Sequence, residues 1–584
     1  MRIFLKSFFA SLLALTLFTI IVIIVLASWL GGLANTQKSQ TGSRAILVLD
    51  LGQQYQERME ENPLASFSSG EQYNKPGLYD LVRLLHLAKT DSAVKGIWLK
   101  CESNPNGFAT SEEIRNALLD FSNSGKFVYA FGDIISQKAY YVASVADRVY
   151  CNPKGGVEWV GLSSRLPFLK TALQKLEIEP QIFYAGKFKS ATEPLREDKM
   201  TDANREQTTV LLDDLFTHLL SQIAVSRDID SATLRKCANG HLIQYAKDAL
   251  YYKLVDGLAY DDQIRERIKK RLKLSDKDNI NFIPIEKYAD ATTFKRTGKD
   301  KIALIYAEGD IIGGKGDQEQ IGDETYRRYI RTARLDKDIR AGIIRIKSGG
   351  GSSLASENLW REISITKMEK PVVVSFGDVA ASGAYYLSCN ADSIFAETNT
   401  ITGSIGVFSI LPNMQDFFKH KLGISFDGVK TAPDADLMSV TKPLSALQKA
   451  FIQNQVDSIY ADFKSRVSDG RKMPLSLIDS IAQGRVWSGR RGLQLGLVDR
   501  IGSLQDAINC AARMAKTTDY RLREYPEPRS FLDLLFGNYK KSIQAKAIQE
   551  EIGPQGFQFY QALKRIQALS GTVQTRMPFD IIVE

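Results

Sequence analysis

The first hydrophobic pattern in the chain is a long apolar stretch near its amino terminus. Ser7 to Leu30 contains no charged residue and has the core FFASLLALTLFTIIVIIVLASWL. As a helix this stretch would rise about 36 Å, which is enough to cross a hydrocarbon layer of about 30 Å. Arg2 and Lys6 precede it, and the positive-inside rule then favours a cytoplasmic amino terminus. We predict a cytoplasmic terminus and a transmembrane anchor over residues 1–31.

A cleaved signal peptide is the alternative interpretation of the same stretch. Gly32-Leu33-Ala34 offers a weak cleavage site. The hydrophobic core of a signal peptide is usually about 7–15 residues long, which is shorter than this stretch. The uncleaved anchor is therefore the favoured interpretation.

The rest of the chain repeats its own pattern. GKFVYAFGD begins at Gly125 and KPVVVSFGD at Lys370, while AYYVASVADRVYCNP begins at Ala139 and AYYLSCNADSIFAET at Ala384. The offset is 245 residues in both cases. A shared frame of this length indicates an internal duplication.

Each copy shows the same order of elements, with continuous apolar strands alternating with helices. This alternation is typical of a parallel sheet in an α/β layer fold. In the second copy the predicted elements are a strand at 342–346, a glycine-rich loop, a helix at 355–365, a strand at 371–376, a helix at 383–390 and a strand at 393–396. Both the glycine loop and the turn into the second helix follow strand ends, where open α/β sheets usually bind ligands.

The predicted domains follow from this repeat. Residues 45–298 form the first copy with its linker, 299–520 form the second copy, and 521–584 form a helical carboxyl-terminal tail. The charged stretch 266–298 lacks a sustained pattern, so we predict that it joins the two copies.

Composition narrows the chemistry. The chain has 584 residues, a net charge of +9, four histidines and five cysteines. The histidines lack metal-ligand spacing and the cysteines are scattered without a CxxC pair, which disfavours a zinc hydrolase and a disulfide scaffold. The basic balance suits anionic lipid headgroups or simply a solvated surface. A hydrolase of this composition would need a base other than histidine or a metal.

The two copies differ where the chemistry would lie. Ser382 sits in the small-residue turn AASGAYY, whereas the equivalent position of the first copy is Gln137, and Ser136 is one place early. The glycine loop at 347–352 is matched by a glycine-poor segment at 102–107. Glycine lets backbone N–H groups approach a ligand closely. The second copy alone carries a candidate nucleophile together with a candidate oxyanion loop.

Simpler explanations exist for both features. A serine in such a turn also suits tight packing, and a glycine loop also suits an anion or a tight turn. The loop lacks the GK[ST] ending of a phosphate-binding P-loop. A nucleophilic serine needs a base, and a lysine buried away from carboxylates can serve because desolvation lowers its pKa.

Five motifs carry a resemblance to a known family. They are AASGAYY (380–386), SGGGS (348–352), TGSIGVF (402–408), GKFKSATEP (186–194) and the closing RMPFDIIVE (576–584). In this combination the chain resembles the signal peptide peptidase A (protease IV) family in its long duplicated form, within the wider Clp protease and crotonase superfamily. The resemblance implies two tandem Clp/crotonase-like α/β domains after an amino-terminal transmembrane helix.

The resemblance also implies the roles of five residues. Ser382 matches the nucleophile and Lys189 matches the general base of a Ser/Lys dyad. Ser404 matches a serine that orients the lysine amine. The backbone N–H groups of Gly351 and Gly383 match the oxyanion hole. The dyad would then be split, with the base in the first copy and the nucleophile in the second.

Some details stay open at this point. Lys138 and Lys187 lie near Lys189 in the sequence, and in an extended segment Lys187 would share a face with Lys189. The family motif alone favours Lys189. Gly349 stands where the family usually has proline, and Lys347 where it often has asparagine. Since glycine frees the backbone that proline restricts, we expect a more mobile oxyanion loop.

The expected function is that of a membrane-anchored serine endopeptidase that degrades remnant signal peptides and other membrane-released peptides. The resemblance implies a homo-oligomer, a tetramer in the family, on the bacterial inner membrane, with a single span and a periplasmic catalytic domain. We expect no cofactor, metal or nucleic acid. The alternatives are a catalytically silent membrane scaffold and a crotonase-like acyl-CoA enzyme.

Overall fold

The computed structural model describes residues 2–33, 39–60, 73–317, 320–527, 553 and 573–577. The apolar amino-terminal stretch forms helix α1 (Arg2–Leu33), whose side chains are described for residues 7–22. Within the described residues, none of the helices is both long and apolar enough to cross a membrane. The helical conformation of this stretch is confirmed. Its role as a membrane anchor stays a prediction.

The first copy begins at residue 45. Its strands are β1 (Ala45–Asp50), β2 (Val94–Lys100), β3 (Phe127–Ile135), β4 (Arg148–Val157), β5 (Glu179–Ala185), β6 (Gly257–Leu258) and β7 (Phe282–Pro284). Its helices are α2 (Leu78–Thr90), α3 (Phe108–Ser122), α4 (Gln137–Ala143), α5 (Lys170–Lys175), a 3-10 turn (Ser190–Thr192), α6 (Glu193–Arg196), α7 (Asp202–Arg227), α8 (Ser231–Asn239), α9 (Ala246–Tyr251), α10 (Asp261–Leu272) and α11 (Ile285–Ala291).

The second copy follows the same plan. Its strands are β8 (Asp300–Glu308), β9 (Asp310–Ile312), β10 (Gln320–Gly322), β11 (Ile339–Ser348), β12 (Gly350–Ser352), β13 (Val372–Ala381), β14 (Ser393–Ala396), β15 (Ile401–Gly403), β16 (Val407–Asn413), β17 (Val486–Ser488), β18 (Arg500–Ile501), β19 (Tyr520–Tyr525) and β20 (Gln574–Arg576). Its helices are α12 (Asp323–Leu335), α13 (Ser353–Lys367), α14 (Gly383–Ser388), a π-helical turn (Phe417–Lys421), α15 (Ala446–Arg471), α16 (Leu475–Ile481), α17 (Gly489–Gln494) and α18 (Leu504–Met514).

The duplication is visible in the order of the strands. The sheet of the first copy runs β6-β4-β3-β2-β1-β7, and all its neighbouring strands are parallel. The eight-stranded sheet of the second copy contains the same order as β18-β14-β13-β11-β8-β19, and these neighbours are again parallel. It also carries β15, parallel to β13, and β17, antiparallel to β15. Parallel strands buried on both faces need continuous apolar runs, which both copies supply. The predicted α/β class and the duplication are confirmed.

A third sheet joins the two copies. Its order is β10-β9-β12-β20-β16-β5 in the described chain, so β5 of the first copy forms the edge of a sheet whose other strands follow residue 299. β5 pairs antiparallel with β16 from Val407↔Ala185 to Asn413↔Glu179. This pairing brings the segment that follows β5 beside the segment that precedes β16. Lys189 and Ser404 lie in those two segments.

The predicted helical tail, residues 521–584, contains strands at two places. Residues 520–525 form β19, which pairs parallel with β8 at the edge of the second sheet, so the predicted tail does not start as a helix at 521. Residues 574–576 are also a strand. The rest of the tail, apart from residues 521–527, 553 and 573–577, lies outside the described residues, as do residues 578–584 of the closing motif.

The predicted joint is also more regular than expected. Within 266–298, most of α10, β7 and α11 form parts of the first copy, and β7 pairs parallel with β1. The charge pattern concealed this because α10 is amphipathic, with only Ile264 and Ile268 buried.

A buried charge network ties the copies together. The guanidinium of Arg345 on β11 is only 1% exposed and donates to Glu57 and Glu113 of the first copy. It also donates to the Ser375 hydroxyl and the Phe376 carbonyl. Burying charged groups is tolerable here because each carboxylate faces the same cation.

Replacing Arg345 by methionine is expected to lower the free energy of unfolding by about 3–5 kcal/mol, because two buried carboxylates lose their cation. Chemical denaturation of the purified variant measures this loss. Arg331→Met is the matched control, since Arg331 is 55% exposed and its partner Glu362 keeps Arg334. The control should change the free energy of unfolding by less than about 1 kcal/mol. Equal effects of the two substitutions would contradict a special role for the buried network.

Candidate active site

Ser382 lies at the junction between β13 and α14, as the sequence predicts. Its backbone has φ 56° and ψ −115°, a region that a residue with a side chain rarely adopts. The fold holds this conformation because the Ser382 N–H donates to the Gly403 carbonyl at 2.8 Å, and the Ser382 carbonyl accepts from Tyr386 N–H at 2.8 Å. Strained backbone of this kind is concentrated at functional sites. The side chain is fully buried.

The amine of Lys189 meets this serine. Lys189 Nζ is 2.8 Å from Ser382 Oγ, 3.0 Å from Ser404 O and 3.0 Å from Ser404 Oγ. Lys189 is 1% exposed. Three of the predicted site residues, from two copies, therefore meet around one nitrogen atom.

Two glycines of the second copy make room for this lysine. A Cβ atom at Gly484, which has φ +74°, would lie 2.7 Å from Lys189 N and Lys189 Cβ. A Cβ atom at Gly406 would lie 3.1 Å from Lys189 Cδ. A larger residue at Gly484 would push the Lys189 backbone away from the second copy. The two glycines therefore allow the Lys189 amine to reach Ser382.

The protonation state of the amine follows from its surroundings. Burial lowers the pKa of Lys189 well below the ordinary value of a lysine, since desolvation disfavours the charged form. A neutral amine has two N–H donors and one lone pair. Ser404 O and Ser404 Oγ can accept the two N–H groups, which directs the lone pair at the Ser382 hydroxyl. The three contacts suit a base.

Other lysines show why this one is singled out. Lys347 is partly buried, and its desolvation alone would lower its pKa, but Asp378 and Glu308 raise the pKa above the ordinary value. Lys347 therefore stays charged and forms ion pairs beside the glycine loop. Lys187 is exposed and lies over the ring of Phe188 at 5.5 Å.

Lys138 is half-buried, and its amine lies 5.7 Å from the centre of the Phe108 ring. The open alternatives to Lys189 are thus placed elsewhere. Among Lys138, Lys187 and Lys189, each of which the structure describes, Lys189 is the one whose amine bonds to Ser382.

Ser404 is held in a strained turn as well. Its φ is 52°, and its N–H donates to the Arg485 carbonyl at 2.7 Å. Its hydroxyl and its carbonyl both face Lys189 Nζ. This geometry suits the orienting role that the family resemblance implies for Ser404.

The two predicted oxyanion glycines lie on facing segments. Gly383 begins α14, and Gly351 lies in β12 of the glycine loop. The approach is close: a Cβ atom at Gly350, which has φ +100°, would lie 2.7 Å from Gly383 N. Gly349, in the family's proline position, accepts a hydrogen bond from Met577 N–H at 2.7 Å. The loop is therefore pinned by a backbone contact here, which argues against the greater mobility expected for it.

In the first copy, the residues that correspond to Ser382 and Ser404 form structural hydrogen bonds. Gln137 Oε1 accepts from the N–H groups of Val160 and Gly161 at 3.2 and 3.0 Å. Ser136 caps α4, with its hydroxyl accepting from Ala139 N–H at 3.4 Å. Trp159 stands opposite Ser404 in the repeat and donates to the Leu234 carbonyl. These residues serve the packing of the first copy.

One residue that supports the segment around Lys189 was not predicted from the sequence. Gln207 on α7 donates to the Phe188 carbonyl and the Ser190 hydroxyl, each at 3.0 Å, and accepts from Val486 N–H at 3.2 Å. It thereby fixes both ends of the lysine segment to the second copy. A single buried amide on a long helix leaves no recognisable sequence pattern.

A serine hydroxyl against a buried lysine amine, with backbone N–H groups nearby, defines a serine hydrolase by its chemistry. Comparison with known proteins makes this more specific. The family model "Peptidase family S49" matches residues 120–275 and 364–518, one segment in each copy.

Curated relatives agree with this match. "Protease 4" of Salmonella typhi is 32% identical over 91% of this chain and 88% of the relative. "Protease 4" of Haemophilus influenzae is 31% identical over 91% of this chain and 90% of the relative. "Serine protease SPPA, chloroplastic" of Arabidopsis thaliana is 31% identical over 73% of this chain and 64% of the relative. The chain belongs to peptidase family S49. It is a serine protease, and its substrates are peptides.

Proposed function

We propose that the chain is a membrane-anchored endopeptidase with a Ser/Lys dyad that degrades cleaved signal peptides and other peptides released in the membrane. The observation that carries the dyad is the 2.8 Å separation of Lys189 Nζ and Ser382 Oγ in a site where burial lowers the lysine pKa. A charged lysine could not accept the serine proton, and burial favours the neutral form of the Lys189 amine.

The proposed reaction proceeds in four steps. Neutral Lys189 takes the hydroxyl proton as Ser382 Oγ attacks the scissile carbonyl. The oxyanion is stabilised by the N–H groups of Gly351 and Gly383. The lysine ammonium then gives its proton to the leaving amine, and water hydrolyses the acyl-enzyme with Lys189 again acting as base. Ser404 positions the amine throughout.

The substrates and the location are part of the same proposal. Helix α1 carries an apolar sequence preceded by Arg2 and Lys6, which supports an anchor in the bacterial inner membrane with the catalytic part on the periplasmic side. A site held near the membrane suits apolar signal peptides. A homo-oligomer, with four subunits as the family resemblance implies, belongs to this proposal.

Covalent labelling tests the proposal. The full-length chain in detergent is treated with a serine-reactive peptide inhibitor, and the modified residue is mapped by mass spectrometry. Ser382 is the expected site, and pre-incubation with a peptide substrate should slow its labelling. Labelling of Ser136 or of any other serine would overturn the assignment.

The lysine base predicts a specific pH dependence. Below the Lys189 pKa the amine is protonated and inactive, so kcat/KM should rise about tenfold per pH unit and level off once the amine is neutral. Since burial lowers the Lys189 pKa, the rise should end well below the pH at which an exposed lysine titrates. Initial rates with one peptide across acid to alkaline buffers measure the profile. A flat profile, or a rise only at strongly alkaline pH, would contradict a neutral lysine base.

A further inference from the structure

The carboxyl-terminal end of α10 carries a dense group of cationic side chains. Residues 267–273 read RIKKRLK, with five basic residues and no acidic one. We call residues 267–273 the basic segment. Ile264 and Ile268 of the same helix are buried against the sheet of the first copy, while four cations of the segment are exposed: Arg267, Lys270, Arg271 and Lys273. The helix therefore packs through an apolar face and presents a cationic face to the solvent.

The protein does not neutralise this charge with its own carboxylates. Among the described residues, none of the five cations of the basic segment forms a salt bridge, whereas Arg265 just before it pairs with Asp261 at 2.6 Å. Arg267 instead lies over the Tyr150 ring, with 4.8 Å between its Cζ and the ring centre. Cations in the last turn also suit the dipole of a helix. A surface with this excess of positive charge attracts anionic partners.

The basic segment lies at the edge of the first sheet where the chain enters the domain. β1 and β7 are parallel neighbours, with Ile46 paired to Phe282, so their amino ends share one edge of the sheet. α10 leads from β6 back to the start of β7 and therefore ends on the side of this edge. Asn281, just before β7, donates to the carbonyls of Thr41 and Ser43 at 2.9 and 3.1 Å. This contact fixes the entering chain beside the segment that links α10 to β7.

The proposed anchor is close to this point along the chain. Thr41 follows Leu33, the last residue of α1, by eight residues. Eight residues span at most about 28 Å when fully extended. An α1 that crosses the bilayer therefore keeps the entry point of the first copy close to the headgroups. The basic segment shares that edge of the sheet, so the anchor holds it within a short distance of the membrane surface.

We propose that the basic segment binds the anionic headgroups of the bilayer that holds α1. This inference rests on the proposed function, since it takes α1 as a membrane anchor. Clusters of lysine and arginine close to a membrane-spanning helix are attracted to anionic lipids, and the attraction acts only near the surface. The contact gives the first copy a fixed orientation on the membrane, which a single anchor joined through a short linker does not provide.

Lysine footprinting of the wild-type protein tests this contact. The full-length chain is placed in nanodiscs of phosphatidylcholine alone or with about one third phosphatidylglycerol, and acylation of each lysine is followed by mass spectrometry. Lys269, Lys270 and Lys273 should react at least about threefold more slowly in the anionic discs, and high salt should remove the difference because it screens the attraction. The exposed Lys449 and Lys472 of the second copy are internal controls and should react equally in both discs.

Two outcomes would overturn the proposal. Equal acylation of the basic segment in the two kinds of disc would mean that the segment does not bind anionic headgroups. Slow acylation in both kinds would mean that another surface, such as a second copy of the chain, covers it. An equal slowing of Lys449 and Lys472 in the anionic discs would likewise contradict a local contact.

A pair of double variants shows whether the charge of the segment is responsible. Lys269→Gln with Lys273→Gln should reduce the protection of Lys270 in the anionic discs to less than about 1.5-fold, because two of the attracting charges are lost. Glutamine can still donate to the Asp276 carbonyl, which accepts from Lys269 Nζ at 2.7 Å in the wild type. The matched control, with the lysines at 449 and 472 both replaced by glutamine, loses the same charge and should leave the protection of Lys270 unchanged. Equal protection in the two double variants would overturn the proposal.

Failure of this inference can be told from failure of the proposed function. If the protein co-elutes with the discs and Ser382 is labelled, but Lys270 reacts equally in both kinds of disc, the anchor and the dyad stand and the headgroup contact is wrong. If the protein co-elutes with neither kind of disc, the anchor and the headgroup contact are both wrong. Labelling of Ser382 still tests the dyad in that case.

Discussion

Replacing Ser382 by alanine is expected to reduce peptide hydrolysis by about 10⁴- to 10⁶-fold, the range over which loss of a catalytic nucleophile acts in serine proteases. Lys189 Nζ is bonded to the serine hydroxyl, so the variant removes the group that would form the acyl-enzyme. Single-turnover assays with a quenched peptide measure the loss. The variant should melt within a few degrees of the wild type, because it deletes one buried hydroxyl and adds no volume.

Ser136→Ala provides the matched control. Ser136 occupies the analogous turn of the first copy, where it caps α4 instead of facing a lysine. Loss of such a cap costs about 1 kcal/mol of stability, and the rate of peptide hydrolysis should stay within about twofold of the wild type. Comparable turnover by the wild type and Ser382→Ala would contradict the assignment of the nucleophile.

Replacing Lys189 by methionine is the second substitution with a large expected effect, a loss of about 10³-fold or more in kcat. Methionine fills a similar space in the buried site but cannot accept a proton, so Ser382 would have to react as a neutral hydroxyl. Lys187→Met is the control, since Lys187 is exposed two residues away, and it should keep wild-type kcat and pH profile.

The two residues should also act as a unit. The double variant Ser382→Ala with Lys189→Met is expected to be no slower than Ser382→Ala alone, because members of one catalytic set are not additive. Steady-state rates of the two single variants and the double variant settle this. A double variant that loses the product of the two single effects would indicate independent roles.

The repeat made much of the fold predictable. A constant offset of 245 residues sets the strand starts of one copy from those of the other, as Val94 of β2 and Ile339 of β11 illustrate. Local apolar runs carry that information because parallel strands are buried on both faces. Ser382 could be singled out as a candidate nucleophile for a related reason, since the first copy has Gln137 at the equivalent position.

The long-range contacts were harder to predict. Lys189 and Ser382 are 193 residues apart, and among Lys138, Lys187 and Lys189 only a family motif favoured one. The contact between Lys189 and Ser382 depends on the pairing of β5 with β16. The local sequence of neither strand indicates that the two strands pair. β19 was missed although YRLREY has a buried residue at each end, because its position after a helix suggested a tail.

The β5–β16 pairing also has a consequence for the synthesis of the enzyme. The ribosome makes Lys189 first, and the chain that carries Ser382, Ser404 and β16 emerges only afterwards. A nascent chain that ends before residue 382 holds the proposed base, Lys189, without the proposed nucleophile. The proposed site can therefore form only late in translation, after residues 1–31 have left the ribosome. An incomplete chain that lacks the second copy would then have no peptidase activity.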